Sequence, residues 1–148
     1  MKKTGRSGAS AEGSTPSCRI IERSRLAPGS SLGESLTATA LSGGGNDLTI
    51  RQDAFHQQFA ADLPASVAAL MASSQRPVTE AALAEGLPTQ EPAWRSLPSW
   101  FVIGEEDRNI PAAALRHQAA RAEARSVTQL SGASHALSLS RPAAVTDT

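Results

Sequence analysis

The sequence predicts an α/β fold for residues 94–148, and three observations predict it. Ser99-Trp100-Phe101-Val102-Ile103 is a short, continuous apolar and β-favouring run, bounded by Pro98 and Gly104. That pattern fits a strand buried on both faces, as in a parallel sheet. Pro111 then stands where a helix begins, and Leu115, Ala119 and Ala122 form a narrow apolar stripe, with Arg116, Arg121 and Glu123 facing out. Arg125-Ser126-Val127-Thr128-Gln129-Leu130 reads as a second, more polar strand. A strand, a helix of about a dozen residues and another strand make a βαβ unit with a right-handed crossover.

Residues 46–93 read as short helices broken by Pro and Gly. Asp53 is a plausible N-cap, and Phe55 and Phe59 fall four apart on one helical face. Pro64 opens a second helix, with Val67, Leu70 and Met71 at helical spacing. Pro77 and Thr79 introduce a third through Ala81–Ala84, closed by Gly86 and Pro88. Residues 1–45 differ in character. They carry six basic residues against three carboxylates and eight of the eleven glycines, including Gly43-Gly44-Gly45. Apolar burial offsets little of the ordering entropy of such a segment, so 1–45 is expected to be mostly disordered or extended. The chain thus divides into 1–45 and a partial α/β domain over 46–148, with cap-like helices in 46–93.

Composition narrows the function classes. The 148 residues carry a formal net charge of +0, so no excess of either sign points to nucleic acid or a membrane surface. Cys18 is the single cysteine, which excludes an intramolecular disulfide and a cysteine-based metal cluster. The basic start at Lys2, Lys3 and Arg6 is not followed by the apolar stretch of a signal peptide. No run approaches the roughly 18 apolar residues of a membrane span. The expectation is a cytoplasmic protein with no metal, no cofactor, and neither nucleic acid nor membrane as partner.

In open α/β sheets, reactive groups collect at the carboxyl ends of the strands. Two loops occupy that edge here. Gly104-Glu105-Glu106-Asp107-Arg108-Asn109-Ile110-Pro111 follows the first strand, and Ser131-Gly132-Ala133-Ser134-His135-Ala136 follows the second. A carboxylate on one and a histidine on the other can share a hydrogen bond. The carboxylate then fixes the imidazole tautomer and stabilises the imidazolium formed when the histidine takes a proton. Asp107 and His135 are the candidate pair. Glu105 and Glu106 read as solvated neighbours, His56 and His117 as bystanders, and Trp94 and Trp100 as packing anchors.

The stretch Leu97–Pro111, a helix, and Gly132-Ala133-Ser134-His135-Ala136 resemble the C-terminal end of an α/β-hydrolase. More narrowly they are similar to bacterial relatives of the plant methylesterase and hydroxynitrile lyase group. Phe55–Pro64, Gln75-Arg76-Pro77 and Glu91-Pro92-Ala93-Trp94 resemble the cap of the same relatives, and the likeness covers roughly residues 46–145. It implies that Asp107 orients His135, and that His135 acts as general base and then general acid in a Ser–His–Asp mechanism. In the lyases of that group a lysine follows the catalytic histidine. Ala136 stands there in this chain, which favours hydrolysis of a small, largely uncharged ester.

The nucleophile is less readily assigned. Gly29-Ser30-Ser31-Leu32-Gly33 satisfies G-x-S-x-G and makes Ser31 the candidate. That motif needs a buried strand before it and a helix after it, whereas Ile21–Pro28 is too charged for a central strand. Ala27-Pro28 and Gly33-Glu34-Ser35 better match a later loop of the resembled family. If Ser31 is not the nucleophile, the chain is a truncated, catalytically inactive fragment that acts, if at all, as a binding or interaction module. Its unpaired sheet edges then favour self-association. A basic tail on an unrelated small α/β module is the third reading.

Overall fold

The computed structural model describes residues 29–86 and 88–148. Readings made on residues 1–28, among them Cys18 and the basic start, lie outside the described residues. The described chain forms two groups of elements that meet at the candidate site.

The first group is a three-stranded antiparallel sheet with helices. A single 3-10 turn at Leu32–Ser35 leads into β1 (Leu36–Ala40), which pairs with β2 (Asn46–Ile50), and β2 pairs in turn with β3 (Val78–Thr79). Helices α1 (Gln52–Phe59), α2 (Ala65–Ser74) and α3 (Glu80–Ala84) complete it. The hairpin corrects the expectation for residues 29–45, which are ordered. Gly43–Gly45 belongs to its loop, with Gly44 and Gly45 at φ 91° and 82°, and Leu41 and Gly45 are joined by a backbone hydrogen bond of 3.0 Å. Such positive φ angles suit glycine, so residues that suggest disorder here make a turn. β1 is mostly exposed and small-residued, whereas β2 buries Leu48 and Ile50.

Helix starts follow the local chemistry. α1 begins one residue before Asp53, with Arg51 as N-cap. Pro64 caps α2, and Thr79 caps α3 by accepting a hydrogen bond from the Ala82 N–H. Gln75 closes the end of β2, its amide accepting from Ile50 N at 2.9 Å and donating to Ile50 O at 2.7 Å. The core of this group holds Ile50, Phe55, Ala60, Ala68 and Ala72, with Leu36, Phe59 and Met71 packed against it. Ala136, from the far end of the chain, joins the same core.

The second group is the anticipated βαβ unit. β4 (Trp100–Gly104) and β5 (Ser126–Leu130) are parallel, connected by α4 (Ala112–Arg121), with Pro111 as N-cap rather than first helical residue. Two short helices, α5 (Leu137–Ser140) and α6 (Pro142–Thr146), finish the chain. Ile103 of β4, Ala119 of α4 and Ala133 of the loop after β5 are buried. The expectation of a strand buried on both faces fails at the start of β4, where Trp100 is 48% exposed. Among the described residues the sheet has two strands, so neither has a second strand partner there.

Candidate active site

β4 ends at Gly104, and the backbone at once touches the loop after β5. A Cβ built on Gly104 would lie 2.6 Å from Ala133 O and 2.7 Å from Ser134 O, so any side chain would force the two loops apart. Glu105 N donates to Leu130 O and Glu106 N to Ala133 O, stitching the loops together. These contacts set Asp107 opposite His135. Asp107 Oδ2 accepts from His135 Nδ1 at 2.8 Å, and Asp107 Oδ1 accepts from the backbone N–H of Asn109 and Ile110 at 2.8 and 2.9 Å. With Nδ1 carrying the shared proton, Nε2 is the nitrogen free to accept another.

Asp107 is buried, its side chain 3% exposed, while that of His135 is 28% exposed. A carboxylate so placed depends on its hydrogen bonds, because an unpaired buried charge is costly. Glu105 and Glu106, by contrast, are exposed.

The end of α1 holds both loops. Gln58 Nε2 donates to Asn109 Oδ1 at 2.8 Å, and Gln58 Oε1 accepts from Ser31 Oγ at 2.9 Å and Ser35 Oγ at 3.1 Å. Phe59 O accepts from Ala136 N and Ser134 Oγ, and the Phe59 ring meets the His135 ring edge-on, centroids 4.7 Å apart. Ser134 Oγ also donates to Asp62, whose other oxygen lies 3.9 Å from Arg141 Nη1. Burial opposes the charge on Asp62. Hydrogen bonding, chiefly from Ser134, outweighs it and holds the carboxyl below the ordinary carboxylate range.

His135 opens onto a largely apolar cavity of about 530 Å³, whose wall includes Leu36, Phe55, Phe59, Met71 and Leu83. Asn109 contributes to the same wall. The acid–histidine pair and a ligand-sized space are therefore adjacent.

Ser31 belongs to this Gln58 network. Its hydroxyl is engaged by Gln58, its N–H donates to Arg108 O at 3.2 Å, and Ser30 Oγ donates to Asn109 O at 2.7 Å. Residues 29–31 thus brace the Asp107 loop. Among the described residues no serine hydroxyl is hydrogen-bonded to His135. A 3-10 turn follows Ser31, and the residues before Gly29 lie outside the described ones.

The remaining candidates take structural places. His56 Nε2 bonds the Leu63 carbonyl at 2.9 Å, and His117 is exposed on α4. Trp94 and Trp100 each carry an arginine over the ring, Arg121 at 5.3 Å and Arg125 at 5.7 Å. Among the described residues no group of three or more His, Cys, Asp or Glu is arranged to hold a metal ion, and no helix is long and apolar enough to cross a membrane. Sequence reasoning missed Gln58, Asn109 and Asp62. The signal available for Gln58 was its position beside Phe59, on the turn that reaches the loops.

Comparison with known proteins agrees with the fold. The model of the alpha/beta hydrolase family matches residues 11–148. Among solved structures, polyneuridine aldehyde esterase matches with a TM-score of 0.62 at 15% identity, over 76% of this chain and 45% of that one. A mutant of that esterase matches with a TM-score of 0.59 at the same identity and coverage. This chain therefore spans under half the length of those structures. No curated protein matches the sequence.

Proposed function

The chain belongs to the α/β-hydrolase family, and from that premise we propose that it supplies the acid and histidine of an esterase-type Ser–His–Asp mechanism. The observation that carries the reading is the 2.8 Å bond between buried Asp107 and His135, whose ring borders the apolar cavity. In that mechanism His135 Nε2 removes the proton of the attacking hydroxyl. Asp107 stabilises the imidazolium, and His135 returns the proton to the leaving alcohol. The substrate class is a small, largely uncharged ester, in keeping with the apolar wall. Ala136 is 4% exposed within the core, so the position after the histidine brings no positive charge to the site.

A second reading, a non-catalytic module that binds in the cavity, is favoured by one observation: the Ser31 hydroxyl is held by Gln58. One experiment separates the two. The folded chain is treated with a fluorophosphonate probe, the labelled residue mapped by mass spectrometry, and p-nitrophenyl acetate hydrolysis measured alongside. The esterase reading expects a labelled serine and hydrolysis, both lost in His135→Ala, with Asp107→Asn slowing turnover by about four orders of magnitude. Labelling at Ser31 would require its hydroxyl to leave Gln58. Folded protein with neither labelling nor His135-dependent hydrolysis overturns the esterase reading and leaves the binding module.

A further inference from the structure

Asn109 is 4% exposed and yet lines the cavity beside His135. Its backbone N–H serves the acid, donating to Asp107 Oδ1, and its side-chain Oδ1 accepts from Gln58 Nε2. Two hydroxyls, of Ser31 and Ser35, converge on Gln58 Oε1. They orient the Gln58 amide with its oxygen toward the serines and its nitrogen toward Asn109. That in turn orients Asn109 with Oδ1 toward Gln58, leaving Nδ2 as the outward donor. Among the described residues Nδ2 makes no hydrogen bond, although the other polar atoms of this chain of amides are partnered. Nδ2 is the donor that the Gln58 bond leaves over, on a residue that lines the cavity, where a ligand oxygen can meet it.

We infer that Asn109 is a substrate-recognition residue, its Nδ2 donating to a neutral oxygen acceptor such as an ester or ketone carbonyl in the cavity. The inference rests on the reading of this cavity as the substrate site. A neutral acceptor fits better than an anion, because the surrounding wall is apolar and offers little to offset desolvation of a charge. The exposed Arg76 stands at the margin, in solvent. The Asn109 backbone and His135 bond the two oxygens of Asp107, and both residues line the same cavity, so an oxygen held by Nδ2 shares that cavity with the histidine.

The test uses cyclohexanone, a neutral ketone that cannot be hydrolysed, titrated into the full chain and followed by NMR. The side-chain amide signals of Asn109 are assigned in the wild type through its own backbone resonances and checked by their loss in Asn109→Asp. That variant keeps the side chain's shape and an oxygen for Gln58 while removing the donor. The inference expects those amide signals to move with the ketone and Asn109→Asp to weaken binding about threefold to tenfold. Should Asn109→Asp fail to fold, movement of the wild-type amide signals decides in favour, and their constancy decides against. If Leu36 and Met71 signals respond while the Asn109 amide stays still, the recognition role is overturned and the cavity remains a binding site. If no cavity signal responds at all, the reading of the cavity fails and takes this inference with it.

Discussion

At the scale of single residues, the site is governed by what each atom is already bonded to. Asp107 divides its oxygens between two backbone amides and His135, so its carboxylate has one orientation. Gly104 carries no side chain because the carbonyls of Ala133 and Ser134 occupy that space. Gly104→Ala is therefore expected to destabilise the fold by about 1–3 kcal/mol through overpacking. It should also lengthen the Asp107–His135 contact, read as loss of the downfield imidazole proton in NMR; an unchanged melting curve and signal would refute this. Asp62 gives a pH effect with a definite sign. Its carboxyl is held below the ordinary range in the folded state, so its contribution to stability is present above the unfolded value of about 4 and is lost as pH falls through the lower, folded value. Asp62→Asn should remove part of that acid sensitivity, seen as a smaller fall in Tm between neutral and acidic pH than in the wild type.

At the scale of elements, what was legible in the sequence follows from how much local chemistry each one carries. The β4 run, the helix after Pro111 and β5 were readable because strand length and crossover length leave few alternatives. Asp107 and His135 stood out because a carboxylate and an imidazole at successive strand ends have a specific use. The hairpin was not legible. Gly43-Gly44-Gly45 signals backbone freedom whether the residues make a turn or a linker, and only the pairing of Leu36–Ala40 with Asn46–Ile50 decides. Gln58 and Asn109 were missed because amides have no characteristic spacing; their roles arise from elements far apart in the chain. The end of α4 carries a further expectation. Ala124 N donates to Ala119 O and Glu123 N to Ala120 O, a Schellman-type ending with Glu123 at φ 49° where glycine is preferred. Glu123→Gly should stabilise the protein by about 1 kcal/mol, measured as a raised Tm. A lowered Tm would contradict it.

At the scale of the whole molecule, the chain holds the candidate site together but leaves much of β4–β5 uncovered among the described residues. Phe101 and Val127 are paired neighbours in that sheet, and Val127 is 43% exposed. Neither strand has a second partner among the described residues. Open strand edges and bare apolar faces promote association. The expected outcome is concentration-dependent self-association in sedimentation velocity, reduced by Val127→Lys. A monomer across the accessible concentrations, with or without the substitution, would speak against it.

The burial of Ala136 also bears on how such a site could change over evolutionary time. In the lyases that this chain resembles, the residue after the histidine is a lysine, one substitution removed on paper. Here that position donates its N–H to Phe59 and sits in the core with Phe55 and Ala68. A lysine there would bring an ammonium group into apolar surroundings or drive the cap away from the histidine. On the proposed esterase reading, a route to cyanohydrin chemistry is thus obstructed by packing, and repacking around Ala136 would have to come before the new charge.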